Sequence, residues 1–540
     1  MKHLLALATL AVVALNCSGG EADPAPPASP EQARLVVLVV YDQFPSWARA
    51  KYGELLSPDG ALRRTATGGA EHVVEYAHAS THTAPGHAAI ATGMPPSGSG
   101  IASNEAWTEE RGIRSSVDDG EHAVLGLPDF FASPTMLRGE SVADALRAAH
   151  GDRAKIVGLS GKDRGAILTT GRDPDLALWY EKRLGRVTSS TYYTEALPDW
   201  VTAWNDANPI DDYFSDWTPG DPELLERLFG SDEAPGEADY QGYGTTFPHS
   251  PRGTDDPYRT FRAAPQNTEY LLDLARVAVA ELQLGQDDVP DLLVLSVSSL
   301  DYTGHLFGPD SWEYVDHLVR IDTAVGEFLT ELETATDVAV LITSDHGGGH
   351  LPEVFRRDLP DAGRLYPDTL PAQMNSALVK VLGEGEWVGA FAPPFVYLTA
   401  AASQPGNHDL AIEALIAALQ ALPEVHSAHD VRVAAGWRSD ADPLRRAVGL
   451  SIHDDDLGAV YLVQQRGSVA DEGFERSKGT GHGSPWSYDR QVPAVFHGPG
   501  VRPAHSTTPL AQNRVAATLC RLLGVAPPDR LGAVEPLPGL

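Results

Sequence analysis

The sequence predicts an α/β protein: a doubly wound, mostly parallel sheet with helices on both faces, plus inserted α+β cap segments. Two observations predict it. Near-continuous apolar runs recur far apart along the 540-residue chain, and amphipathic helical patterns fill the intervals between them. A third, that several of these runs end in aspartate or histidine, marks where a site would lie.

The runs are RLVVLVVYD (34–42), AKIVGLS (154–160), PDLLVLSVSS (290–299), DVAVLITSD (337–345) and QVPAVFHG (491–498). Apolar runs without alternation suit strands covered on both faces, as in a parallel sheet between helix layers. The helical patterns are ESVADALRAAH (140–150), NTEYLLDLARVAVAELQL (267–284) and WEYVDHLVRIDTAVGEFLTELE (312–333). Strands alternating with helices at this spacing define the doubly wound arrangement. Two regions break the rhythm. One, roughly 171–265, is rich in Trp, Tyr, Asp, Pro and Gly; the other, 351–477, carries its own strands (PPFVYLTA, AVYLVQQ) and a helix (DLAIEALIAALQAL). Both read as insertions that form a cap.

Residues 1–16, MKHLLALATLAVVALN, combine a short basic start with an apolar run too short to span a bilayer comfortably, the pattern of a secretory signal. Cys17 follows, and residues 17–33 form a small-residue, Pro-rich tether. This resembles a bacterial lipoprotein signal, which implies an exported protein, periplasmic or at the outer membrane, tethered through a lipidated Cys17. Residues 34–540 are then one domain with insertions. The other cysteine, Cys520, lies in NRVAATLCRLLGV and reads as a buried helix thiol, so the mature domain has no intramolecular disulfide to form. A formal charge of −34 argues against nucleic-acid binding. It poses a puzzle if the substrate is an anion.

In an open α/β sheet, ligands bind beyond the carboxyl ends of the strands. Asp42 closes the first run, Asp301 and His305 follow the third, Asp345 and His346 close or follow the fourth, and His482 sits between glycines in SKGTGHGSPWSYDR. Carboxylates and imidazoles at one sheet edge make metal ligands or an acid/base set, and the spacing favours metal. Asp301 and His305, four apart, can face one side and grip a single ion; the adjacent pair Asp345 and His346 splays, which suits a position between two ions. Two metals imply in-line displacement at phosphorus or sulfur. THTAPGHAAIATG supplies a hydroxyl, Thr81 or Thr83, ahead of a small-residue helix whose N-terminal amides could help hold an anion. The residues alone do not choose between the two threonines, which also suit helix capping. His78, His82, His87 and His350 read as structural or solvated.

Taken in order, Asp42, Thr-x-Pro-Gly-His, Asp-x-x-x-His, Asp-His-Gly and Gly-x-Gly-His resemble the alkaline phosphatase superfamily over most of the chain. The stretch from Gly165 to Asn205 is similar to a segment shared by nucleotide phosphodiesterases and PafA-type monoesterases, which moves the start of the first insertion to about 205. The resemblance implies that Thr83 is the nucleophile and forms a phosphothreonine. It also implies two zinc ions per chain, the first on Asp301, His305 and His482, the second on Asp42, Asp345 and His346 with the Thr83 oxygen. The Cys/Ser-x-Pro-x-Arg string of sulfatases does not occur.

Lys162 and Arg164, two apart after the second run, resemble the Lys-x-Arg pair of PafA-type phosphatases, and Asn104 in GIASNEAW matches their phosphate-binding asparagine. A cationic pair matches the extra charge of a monoester. The expectation is therefore a zinc-dependent phosphomonoesterase acting on small phosphate esters. Its alternatives are a phosphodiesterase or nucleotide pyrophosphatase on the same fold, and a non-catalytic, lipid-tethered binding protein. Two zinc ions with Lys162 and Arg164 would make a cationic pocket inside an acidic shell, which answers the charge puzzle.

Overall fold

The computed structural model describes residues 32–455 and 458–540; the signal, Cys17 and the tether up to residue 31 lie outside them. Nine strands form the central sheet: β1 (Leu35–Tyr41), β2 (Ala70–Glu75), β3 (Ile156–Ser160), β4 (Leu176–Glu181), β5 (Arg186–Thr188), β6 (Asp291–Val297), β7 (Val338–Thr343), β8 (Gln491–His497) and β9 (Ala504–Ala511). Their order is β9-β2-β8-β7-β1-β6-β3-β4-β5. The central five, β7-β1-β6-β3-β4, are all parallel.

Every residue of β1, β3, β6 and β7 is buried, as their unbroken apolar runs require. Helices cover both faces. Leu35, Val37 and Val39 of β1 pack in one core with Leu271 and Leu274 of α3 (Gln266–Leu282) and Val325 and Phe328 of α5 (Trp312–Ala335). Val36, Leu38 and Val40 pack in another with Ile90 of α1 (Thr83–Thr92) and Leu519 of α6 (Arg514–Leu523). Cys520, on α6, is a buried free thiol. Two further helices, α2 (Asp163–Thr170) and α4 (Ser299–Phe307), follow β3 and β6 directly.

The QVPAVFHG run departs from the parallel expectation, since β8 runs antiparallel to both β7 and β2. Apolar density reports burial on two faces, not strand direction. Strands β4 and β5 extend the sheet within the stretch first set aside as irregular. Two small hairpins, Glu105–Thr108 with Gly112–Ser115 and Ala123–Val124 with Leu127–Phe131, carry no sequence expectation.

Within 351–477 lies a separate antiparallel sheet in the order Val388–Ala392, Phe395–Leu398, Val460–Gln464, Val425–Asp430. The helices Leu370–Leu382 and His408–Gln420 share its apolar core. No helix among the described residues is long and apolar enough to cross a membrane.

Register is what positions the site. Val40 of β1 stands opposite Ser296 of β6 and Thr343 of β7, and Ser296 stands opposite Ser160 of β3. Four strands therefore end in step, and whatever follows them meets at one edge.

Candidate active site

Asp42 follows β1, Lys162 follows β3, Asp301 and His305 lie on α4 after β6, and Asp345 and His346 follow β7. All six are buried. The Lys162 ammonium donates to Asp42 Oδ2 and to Asp301 Oδ2, both at 2.6 Å, and to Thr83 Oγ1 at 3.3 Å. Asp301 Oδ1 lies 3.2 Å from His305 Nε2 and 3.6 Å from His482 Nε2, so the four-residue spacing on α4 does bring one aspartate and one histidine to the same side. His346 Nε2 lies 3.5 Å from Asp42 Oδ1 and 3.4 Å from Asp345 Oδ2.

The donor set fits divalent cations. Asp42 Oδ1, Asp345 Oδ2 and His346 Nε2 are buried without a hydrogen-bond partner, and ligand atoms of these three residues lie within 4.8 Å of one another. A second such group is Asp301, His346 and His482, so His346 is common to both and His305 joins through Asp301. Each histidine has its other nitrogen against a backbone carbonyl. His305 Nδ1 donates to Thr480 (2.9 Å), His346 Nδ1 to Gly347 (2.9 Å) and His482 Nδ1 to Thr81 (2.7 Å). That leaves Nε2 as the lone pair facing the carboxylates, the usual way an outer hydrogen bond sets a metal-binding tautomer.

Electrostatics point the same way. Burial, then the Asp345 carboxylate, push the Asp42 pKa well above the usual range, against the pull of Lys162. Burial acts likewise on Asp301, but His305 and Lys162 outweigh it and hold that carboxyl well below its ordinary value. Against burial, His346 and His87 hold Asp345 at about 2. Burial, with His346 and His305, pushes His482 well down, which keeps its ring neutral. Three carboxylates share one lysine here, and further positive charge would stabilise all three.

Thr83 is the first residue of α1 and its hydroxyl faces Lys162, whereas Thr81 donates its hydroxyl to the Ser484 carbonyl at 2.9 Å. Gly86 lets α1 approach, since a Cβ there would lie 2.1 Å from the Asp345 carbonyl oxygen. The anticipated amide cradle is largely occupied. Ala84 N–H donates to Asn104 Oδ1 at 2.8 Å, Gly86 N–H to the His82 carbonyl at 3.0 Å, and residue 85 is proline. Asn104 thus has its oxygen tied, and its amide nitrogen is the group left to offer an anion. Arg164, partly buried, pairs weakly with Asp163 at 3.5 Å.

The inserted region holds this corner. Ser103 donates to the Pro393 carbonyl, the Trp107 ring packs on Gly389 and Tyr397, and Ala79 and Ser80 N–H donate to Ser451 Oγ.

Four nearby residues carried no prediction of a role in the site. Gln43, in the left-handed region at φ 61°, donates from Nε2 to Asp301 Oδ1 at 3.0 Å. Tyr302 lies with its ring centroid 5.1 Å from Lys162 Nζ. His82 is buried with its ring 5.5 Å from that of His482, and His87 Nδ1 donates to the Thr83 carbonyl (2.8 Å) and lies 3.2 Å from Asp345 Oδ2. Both histidines, read from the sequence as structural or solvated, are buried and line the site. His78 is buried, and His350 pairs with Asp310 at 2.6 Å.

The fold is that of an alkaline-phosphatase-like α/β enzyme. The chain belongs to the type I phosphodiesterase / nucleotide pyrophosphatase family, whose model matches residues 36–487. It is 29% identical to a protein named calcium-transporting ATPase from Myroides odoratus, over 92% of this chain and 93% of that one. It is 28% identical to alkaline phosphatase PafA from Elizabethkingia meningoseptica, over 93% of each. The crystal structure of PafA superposes with a TM-score of 0.84 at 27% identity, covering 96% of this chain and 100% of that one. A PafA variant with a threonine, an asparagine, a lysine and an arginine replaced gives the same score at 26% identity, covering 95% and 99%.

Proposed function

We propose that this protein is an exported, zinc-dependent phosphomonoesterase that works through a phosphothreonine on Thr83. One observation carries the reading. A single ammonium, Lys162, touches one carboxylate from each prospective metal group and the Thr83 hydroxyl, so nucleophile, cation and ligands converge on one point. The PafA likeness supports it, because the four residue types replaced in the PafA variant occur here in the same order as Thr83, Asn104, Lys162 and Arg164.

Asp301, His305 and His482 would hold the first ion, and Asp42, Asp345 and His346 the second. Bound zinc supplies Lewis acidity for the attacking and leaving oxygens and for water. Thr83 attacks phosphorus in line, held at the start of α1 with its carbonyl fixed by His87. Asn104, Lys162 and Arg164 hold the non-bridging oxygens, the last two matching the extra charge of a monoester. Water then hydrolyses the phosphothreonine. Residues 1–16 would direct export and Cys17 would carry the lipid tether.

The second reading, a phosphodiesterase or nucleotide pyrophosphatase, is favoured by the description of the matched family. Aryl phosphate monoester and diester, assayed side by side with and without chelator, decide between them. A diester rate above the monoester rate overturns the proposal, and no rate on either leaves a binding protein.

A further inference from the structure

We infer that Arg262 and Lys182 form a second anion-binding subsite beside the phosphate-holding Lys162 and Arg164. It would take a carboxylate or phosphate carried on the leaving group of the ester. The inference rests on the phosphomonoesterase reading and adds a substrate class to it: monoesters bearing a further anionic group.

Placement comes from the sheet. β4 runs parallel to β3 with Ser160 opposite Trp179, so Lys182, the first residue after β4, reaches the same carboxyl edge as Lys162, one strand outward. Arg262 reaches this edge from the short turn Phe261–Ala263, which is pinned to α4 where Thr303 Oγ1 donates to the Ala263 carbonyl at 3.0 Å. Its guanidinium carbon lies 4.2 Å from the Tyr302 ring centroid, the same ring that Lys162 approaches to 5.1 Å. Tyr302 follows Asp301, and Phe474 touches both Tyr302 and His305. The pair therefore stands on the Asp301 and His305 side; with Thr83 attacking from the second ion, in-line displacement would send the leaving group toward this first-ion side.

Neither cation is held in a direct ion pair. Among the described residues neither meets a carboxylate at ion-pair distance, and Lys182 has no hydrogen-bond partner. Arg262, only 7% exposed, donates solely to neutral groups: the Arg259 carbonyl, the Tyr302 hydroxyl and the Tyr240 hydroxyl. Those three bonds leave an N–H on each Nη atom for an oxyanion. Of the nearby acids, Glu181 pairs with Arg183 at 2.9 Å and Asp163 with Arg164 at 3.5 Å, while Glu105 lies within electrostatic reach of both Lys182 and Arg164 without contacting either. Burial and the charges of Arg262 and Arg183 push the Lys182 pKa down to about 7, a measure of how crowded this positive corner is. Arg262 cannot shed its charge and Lys182 keeps its own only toward and below about pH 7, so an anion that joins them would stabilise both charges.

The test compares phenyl phosphate with 3-carboxyphenyl phosphate, which adds one carboxylate to the same aryl leaving group. The zinc-loaded protein should favour the carboxylate substrate in kcat/KM by about tenfold, as one charge-assisted contact provides. Lys182→Ala and Arg262→Met should each bring that ratio toward one, and raised salt should shrink it in the unaltered protein. A ratio that starts near one, or that survives Lys182→Ala, overturns the subsite; so does a loss of rate that leaves the ratio unchanged. If neither ester is cleaved, the phosphomonoesterase reading fails. The affinities of the zinc-loaded protein for the two esters, measured by calorimetry with and without Lys182→Ala, then decide the subsite by the same ratio.

Discussion

The imidazole of His346 lies against that of His482, with ring centroids 3.6 Å apart and planes inclined by 20°. Two imidazolium ions would repel strongly at that separation, and burial lowers the pKa of both. The pair stays neutral and presents its Nε2 atoms at the junction of the two ligand groups.

Chelation should therefore abolish turnover and lower the melting temperature, and zinc should restore both, with about two ions per chain by elemental analysis. His305→Ala should reduce that content to about one. A content that stays at two would show that His346, not His305, completes the first ion's ligands.

Thr83→Ala should lower turnover by at least about a thousandfold while metal content is kept. Thr81→Val removes only the bond to the Ser484 carbonyl, a net cost of about 1 kcal/mol in stability. Denaturant melts and steady-state rates on the two variants check the assignment.

Lys162→Ala and Arg164→Ala should each reduce kcat/KM for an aryl monoester by roughly a hundredfold to a thousandfold, by analogy with loss of an electrostatic donor. The rate on the matching diester, which carries one charge fewer, should fall by less. Equal losses on both would remove the argument for monoester preference.

Gly389→Val should disturb phosphate binding from a distance. A Cβ at this position would lie 2.3 Å from Cη2 of Trp107, on the hairpin that follows Asn104. Its effect on kcat/KM should largely vanish in an Asn104→Ala background, because both act on one group. Additive losses would place the brace elsewhere.

Glu237→Gln should stabilise the protein more at pH 9 than at pH 5. Burial, and next the Glu313 carboxylate, raise the Glu237 pKa from 4.5 to about 9. Between those values the unfolded chain has released the proton that the native state still holds, so native stability falls as pH rises through the window. Glutamine cannot ionise and escapes that loss. Thermal melts across the range give the difference, which should widen steadily toward alkaline pH.

The parallel centre of the sheet was legible because β1, β3, β6 and β7 are apolar on both faces. β2 was not: AEHVVE alternates buried and half-buried positions and is half polar. Asp42, Asp301, His305, Asp345 and His346 were legible as polar groups just beyond strands, and His482 as a histidine between glycines, all in a fixed order. The choice of Thr83 over Thr81 came from family resemblance; in the structure the Thr81 hydroxyl is bonded to the Ser484 carbonyl and the Thr83 hydroxyl accepts from Lys162. Gln43, Tyr302, Lys182 and Arg262 belong to no motif. Their relation to the site depends on which strand lies beside which, and local sequence does not contain that order.

Thr81 and His482 are 401 residues apart in the chain, yet the carbonyl of one fixes the ring of the other. A nascent or clipped polypeptide ending ahead of the Gly479–Gly483 turn would have the whole parallel sheet but no His482, and so no complete first ion site. Metal uptake would then report that the chain has passed this turn, and apo-like material in a preparation would measure truncation ahead of it as much as chelation.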